Sequence, residues 1–231
     1  LDRWILSKAS KCFKECEIAF KNYDFSKGFN QLLNFLSADL SGIYLDICKD
    51  RLYCDAKDAP RRRSAQSAMA IITKALLPLI APTLTYTVDE VMDYAPKIIK
   101  GDAKDAFDLV YEPIKFDLSF EDELLFASRE KFNEIVDVLK KDKKIKSTLE
   151  LSLETTNHSI TSYDEREVAD LYMVSSVRAY DDSEPLAEFE LEGDKFKIIA
   201  SNLHKCPRCW KFNASKEDAL CPRCEEVISA K

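Results

Sequence analysis

Lys205-Cys206-Pro207-Arg208-Cys209-Trp210, followed after an interval by Cys221-Pro222-Arg223-Cys224, decides how the end of this chain folds. Each C-x-x-C pair makes a tight knuckle presenting two thiolates, and eleven residues lie between Cys209 and Cys221. Two knuckles at that separation suit one tetrahedral Zn²⁺. Pro207 and Pro222 hold matching positions, where a fixed φ helps set the turn. The predicted site is one Zn²⁺ on Cys206, Cys209, Cys221 and Cys224. Four protein ligands leave no position for water, so its role is structural. The centre carries a charge of about −2, which Lys205, Arg208, Lys211 and Arg223 offset. A redox dithiol or a pair of disulfides would use the same residues; the duplicated knuckle favours zinc. His204 stands two residues before Cys206 and is not needed as a ligand.

Outward from this stretch, the composition is that of a globular protein: 231 residues, 46% hydrophobic, 32% charged, net charge −7. That length allows one large domain or two to three small ones. Four glycines and eight prolines leave little room for long flexible linkers. The longest apolar run, Ala75 to Pro82, is too short to span a bilayer. The N-terminus lacks the continuous apolar core of a secretory signal. With Cys12, Cys16, Cys48 and Cys54 in helical-looking sequence, a reducing cytoplasm fits best. The net acidity argues against a general polyanion binder, but a local patch decides that question. From Ser201 onward, Lys205, Arg208, Lys211, Lys216, Arg223 and Lys231 outnumber Glu217, Asp218, Glu225 and Glu226.

Helical periodicity governs the first part of the chain. Ile5, Ala9, Cys12, Cys16 and Phe20, widened by Leu6 and Phe13, predict a helix over Leu1–Lys21. Its cysteines read as buried thiols rather than half a metal site. The chain opens directly in helix without Met, which reads as a fragment. Phe25, Phe29, Leu32, Leu33, Leu36, Leu40, Ile43, Tyr44 and Ile47 predict a second run to about Tyr53, bent near Ser41-Gly42. A third helix opens at Arg61-Arg62-Arg63, with Ala65, Met69, Ile72, Leu76 and Leu79 inward, and Pro78 and Pro82 break or kink it. A fourth spans roughly Thr83–Tyr94, with Val88, Val91 and Met92 inward. Four such helices on short connections make an antiparallel bundle over 1–94.

Residues 95–118 read as a connector, and Phe120–Asp142 as a further helix. The period then changes. Leu149, Leu151 and Leu153 alternate with Glu150, Ser152 and Glu154, predicting a half-buried strand. Tyr172–Tyr180, Ala187–Glu192 and Phe196–Ala200 are further strands, the last two joined by a turn at Glu192-Gly193-Asp194. The expected fold is mainly α: the bundle, a small α/β domain over 119–200, and a four-cysteine zinc ribbon or knuckle module over 201–231.

Several blocks together resemble a known family. They are Leu1-Asp2-Arg3-Trp4, Tyr23-Asp24-Phe25, the run from Tyr44 through Lys49-Asp50-Arg51 to Tyr53, Arg62-Arg63-Ser64-Ala65-Gln66, Ala81-Pro82-Thr83-Leu84 and Thr87-Val88-Asp89-Glu90-Val91. Their order resembles the anticodon-binding bundle of class I aminoacyl-tRNA synthetases for branched aliphatic amino acids. The terminal knuckles resemble those of the bacterial isoleucyl members. The resemblance covers nearly the whole chain, most weakly in the middle α/β part. It implies a partner, the anticodon arm of tRNA(Ile), and a monomer. It also implies catalytic and editing domains preceding Leu1, where ATP would be used. The family's H-I-G-H and K-M-S-K-S signatures are absent from this sequence, and Lys144-Ile145-Lys146-Ser147 is only superficially like the second. The chain is thus expected to hold tRNA without activating an amino acid.

The candidate RNA contacts are Arg61, Arg62, Arg63, Lys205, Arg208, Trp210, Lys211 and Arg223. Three cations opening a helix oppose its macrodipole, a misfit that an RNA phosphate would relieve. Trp210 either stacks on an unpaired base or caps the metal core. The Lys140–Lys146 run reads as a solvated helix end, and Asp46, Asp50 and Asp55 as helix-surface charges. The rival readings are a zinc-ribbon nucleic-acid-binding protein, a protein–protein adaptor, and the same region of a valyl or leucyl sibling.

Overall fold

The computed structural model describes residues 1–115 and 123–230 and is mainly helical. The first residues of the helix expected from Phe120, the end of the connector at 116–118, the expected α/β boundary at 119 and Lys231 lie outside the described residues. The chain divides into two compact units, Leu1–Asp46 with Lys57–Phe120, and Ile47–Ala56 with Glu121–Lys231.

The first unit is built on α1, Asp2–Lys21, which buries Ile5, Ala9, Phe13 and Cys16. Asp24 caps α2, Phe25–Asn34, by accepting the Lys27 N–H at 3.2 Å. Gly28 of α2 lies against the Phe20 ring, where a Cβ would collide. That close approach lets the Cys16 thiol donate to the Gly28 carbonyl at 3.3 Å. From Phe35 to Leu45 the coil widens into a π-helix instead of bending at Gly42. A π turn carries an extra residue, so the inward face rotates relative to the α-helical expectation. Leu33, still within α2, is exposed, while Phe35 is buried, its ring 5.6 Å from that of Phe13.

Helix α3 is Asp46–Cys54, and α4, Pro60–Ile80, starts with proline at its N-terminus and runs through Pro78. Pro78 interrupts only the last turn, where few bonds remain to lose, and its ring is buried between Leu77 and Leu79. The buried face is Ala65, Ala68, Ile72 and Ala75, so Met69 and Leu76 are only half-buried. Helix α5, Thr85–Tyr94, buries Val88 and Met92, one turn apart, and leaves Val91 exposed. The expected connector is folded too. After α6, Lys97–Lys100, a 3₁₀ turn at Ala106–Asp108 puts Ala106 into a core with Leu77, Ala81, Val88 and Met92.

The second unit holds α7, Glu123–Lys141, and a four-stranded sheet. Its strands are β1 (Leu151–Thr155), β2 (Ser176–Ala179), β3 (Ala187–Leu191) and β4 (Asp194–Ala200), in the order β2-β1-β4-β3. β1 pairs parallel with β2 and antiparallel with β4. β1 has a strand on each edge and is buried at every residue rather than half-buried. Glu154 is tolerated there because Arg178 Nε donates to it at 3.0 Å and the Asp181 N–H at 3.3 Å. The expected strand from Tyr172 is shortened to β2. Two helices precede it, α8 (His158–Ser162) and α9 (Glu165–Tyr172), each opened by a side-chain cap, Asn157 and Asp164. Glu192 and Gly193, both at positive φ, make the two-residue β3–β4 turn, in which Leu191 pairs with Asp194. The four-cysteine segment belongs to this unit, as does Ile47–Ala56.

Candidate metal centre and RNA-binding surface

The first knuckle is closed by its own backbone. The Cys206 N–H donates to the Lys211 carbonyl and the Trp210 N–H to the Cys206 carbonyl, both at 2.9 Å. The turn requires a left-handed residue, and Trp210 takes that place at φ 67°. The second knuckle runs into α10, Pro222–Ser229, with Cys221 as its N-cap residue and Cys224 in its first turn. Thiolates there lie at the positive end of the helix dipole.

All four cysteines are buried, and their sulfurs lie within 4.8 Å of one another. Bonds of about 2.3 Å to a tetrahedral centre put neighbouring sulfurs about 3.8 Å apart; Cys209 and Cys221 Sγ are 3.7 Å apart. The donor set thus fits a four-thiolate metal site. Burial raises the Cys206 thiol, but backbone N–H groups of Cys209, Cys221 and Arg208 outweigh it and bring its pKa down to about 6. For Cys209 and Cys221 burial wins, and their thiols are pushed up. Cys54, at the end of α3, packs in the same buried cluster, and burial lifts its pKa to about 11.

The cations expected to face RNA divide sharply. Arg208 Nη1 donates to the Cys54 carbonyl at 2.7 Å and to Cys224 Sγ at 3.3 Å, and Nη2 to the Tyr53 carbonyl at 3.3 Å. It therefore satisfies terminal carbonyls of α3 and one metal-site sulfur together. Arg223 grips Asp50 as a fork, at 2.5 and 2.8 Å, and reaches Asp55 at 3.3 Å, with its side chain 12% exposed. Lys211, 7% exposed, donates to Asp170 at 2.7 Å. Arg51, 1% exposed, completes that network at 3.6 Å from Asp170 and 2.7 Å from Glu167. Asp50 and Asp55 are therefore not surface charges: they neutralise Arg223 of the four-cysteine segment.

What remains outward is smaller. Trp210 is 62% exposed, and Lys205 Nζ lies 5.7 Å from its ring centroid. In the first unit Arg63 is exposed and donates to Gln66 at 2.9 Å, while Arg61 and Arg62 are half-buried. His204 is exposed, and its backbone pairs with Ala214, behind the first knuckle. Periodicity gave no sign of Asp50, Arg51, Asp55 or Asp170 as functional pieces of the centre. The available signal was the Lys49-Asp50-Arg51 block, whose charges fall among the apolar positions Ile47, Cys48 and Cys54.

Comparison with known proteins agrees with this geometry. A family model described as the anticodon-binding domain of tRNA ligase matches residues 2–157. An isoleucine–tRNA ligase of Campylobacter concisus is 93% identical over 231 residues, which is 100% of this chain and 25% of that protein. One of Campylobacter curvus is 73% identical over 230 residues, 100% of this chain and 25% of that protein. One of a Nitratiruptor species is 52% identical over 229 residues, again 25% of that protein. The chain thus spans a quarter of the length of these relatives. No helix among the described residues is long and apolar enough to cross a membrane.

Proposed function

The chain belongs to the anticodon-binding domain family of tRNA ligases, and on that premise we propose that it holds the anticodon arm of an isoleucine tRNA for a ligase acting in the cytoplasm. One structural Zn²⁺ on Cys206, Cys209, Cys221 and Cys224 would order the C-terminal module. The chain acts as a monomer and supplies no catalysis of its own. Isoleucine activation with ATP falls to catalytic and editing parts of a longer polypeptide. Within 1–231, the helices of 1–94 and the module of 201–231 share the RNA contact, while 95–118 and 119–200 join them.

The single observation that carries this reading is the match over residues 2–157 together with relatives that are isoleucine–tRNA ligases along the whole chain. The chemistry of the surface supports it. Trp210 offers an exposed ring for an unpaired base, with Lys205 beside it for a phosphate. Arg61, Arg62 and Arg63 offer further cations at the start of α4. Lys211 and Arg223, spent on internal carboxylates, act by shaping the module, and Arg208 does so by spanning α3 and Cys224.

Filter binding tests the proposal. The cognate anticodon arm should bind more tightly than an arm with a swapped anticodon, and both more tightly than duplex DNA. Affinity should fall steeply with salt, because each phosphate contact releases counterions. Equal affinity for all RNA hairpins would leave only a non-specific basic surface.

A further inference from the structure

Helix α3 reaches the metal module through cations that carry no label of that role in the sequence. Arg208 spans three groups: the Cys224 sulfur, the Cys54 carbonyl and the Tyr53 carbonyl. The two carbonyls are in the last turn of α3, where no helical N–H is left to satisfy them. Arg223, two residues after Cys221, forks Asp50 on the same helix and reaches Asp55 just past its end. Cys54 itself packs among the four metal-site cysteines. Both arginines lie inside the knuckles, Arg208 between Cys206 and Cys209 and Arg223 between Cys221 and Cys224. Their positions are therefore set by whatever closes the knuckles.

We propose that Ile47–Ala56 is a metal-responsive segment: occupancy of the four-cysteine site holds it in place through Arg208 and Arg223, and loss of the metal releases it. The physical reason is that a small four-thiolate module has little apolar core beyond the sulfurs and Ala214, so it depends on metal to fold. When the knuckles open, Arg208 and Arg223 leave together. Asp50 and Asp55 then lose the Arg223 guanidinium, and the Tyr53 and Cys54 carbonyls lose the Arg208 donor. The arginine contacts are charge-assisted, which makes them the stronger kind of hydrogen bond. The segment is flanked on both sides by residues of the first unit, Asp46 and Lys57. Metal loss would thus be felt inside the sequence span of the helical bundle, about 150 residues away along the chain from the cysteines. The inference rests on the metal reading above and adds a consequence which that reading does not contain.

Hydrogen exchange with mass-spectrometric readout on the whole chain tests it, with metal content measured on the same samples. On chelation, peptides covering 205–225 and 46–56 should lose protection together, at one chelator midpoint. Peptides from α1 and from the middle of α4 should stay protected. Arg208→Gln tests the link with the metal in place: peptides over 46–56 should exchange roughly tenfold faster or more, while 205–225 stays protected. Asp50→Asn cuts the same link from the α3 side, at a residue outside the knuckles, and should have the same selective effect. Protection of 46–56 that is indifferent to chelation and to both substitutions overturns the proposal with the metal reading intact. Loss of protection across the entire chain in one step also overturns it, since the segment would then be no more responsive than the rest. A chain that binds no metal sinks the metal reading and this inference together.

Discussion

Replacing Arg223 by Met separates an RNA contact from a structural ion pair. In the structure its guanidinium is 12% exposed and held by Asp50 at 2.5 and 2.8 Å and by Asp55 at 3.3 Å. Burial alone would lower its pKa, but the Asp50 bonds and the charges of Asp50 and Asp55 more than reverse this and hold it above the usual arginine value. Removing one partner of such a pair leaves uncompensated carboxylates and costs about 3–5 kcal/mol. A solvent-facing phosphate contact would change stability by no more than about 0.5 kcal/mol. With a urea m-value of about 2 kcal/mol/M, the structural role lowers the midpoint of the second unit by about 1.5–2.5 M. Urea unfolding in metal-saturated buffer, read by unit-resolved hydrogen exchange, measures this directly. Adding Asp50→Asn and Asp55→Asn to Arg223→Met should recover much of the loss, since apolar and neutral groups replace the stranded charges. A midpoint shift below about 0.3 M, with a large loss of tRNA affinity, would refute the reasoning and return Arg223 to the RNA surface.

Lys205→Ala should weaken all tRNAs alike and flatten the slope of log affinity against log salt by about one, with stability unchanged. Trp210→Ala should cost about 1–3 kcal/mol of RNA affinity, measured by filter binding, and more for the cognate arm than for a swapped one. Trp210→Gly should keep full metal occupancy by elemental analysis, because glycine adopts the φ of 67° at this turn without strain. Metal binding at pH 7.5 should release at least two protons, seen by calorimetry in buffers of different ionisation enthalpy. Cys209 and Cys221 are held protonated by burial, whereas Cys206, at about 6, is already ionised. The sign follows: metal retention is lost as pH falls and protons compete for the thiolates, with Cys206 the last of these three to protonate. Release of less than one proton would show that the thiols are ionised before metal arrives.

Apolar periodicity was a good guide where one period persisted. The Ile5–Ala9–Phe13–Cys16 face and the Val88–Met92 pair were legible because a straight α-helix repeats its inward positions. It misled at the end of α2, where Leu33 is exposed and Phe35, the first residue of the π-helix, is buried. It also misled where topology overrode pattern. Alternation in β1 promised a solvent face, but whether a strand's second face is covered depends on what the rest of the chain packs over it, and β1 is buried at every residue. Helices α8 and α9 are short, and their start signals, Asn157 and Asp164, lie in sequence that reads equally well as turn. The grouping of the four cysteines was fully legible, because a duplicated knuckle constrains spacing and residue type at once.

Charge was the hardest feature to read, and the reason bears on function. A basic residue near a thiolate centre can serve the outside or the inside, and composition is the same in both cases. The deciding quantity is whether an acidic partner from elsewhere in the chain reaches it. Asp50 meets Arg223 across 173 positions of sequence, and Asp170 meets Lys211 across 41. No local pattern encodes such pairings. Once they are made, fewer of the module's cations face solvent; Lys205 and Lys216 are among those that do, as does the Trp210 ring. With Lys211 and Arg223 turned inward, the phosphate affinity that the proposed reading expects of this module is modest. On the proposed reading, discrimination by this module would rest on stacking and shape at Trp210.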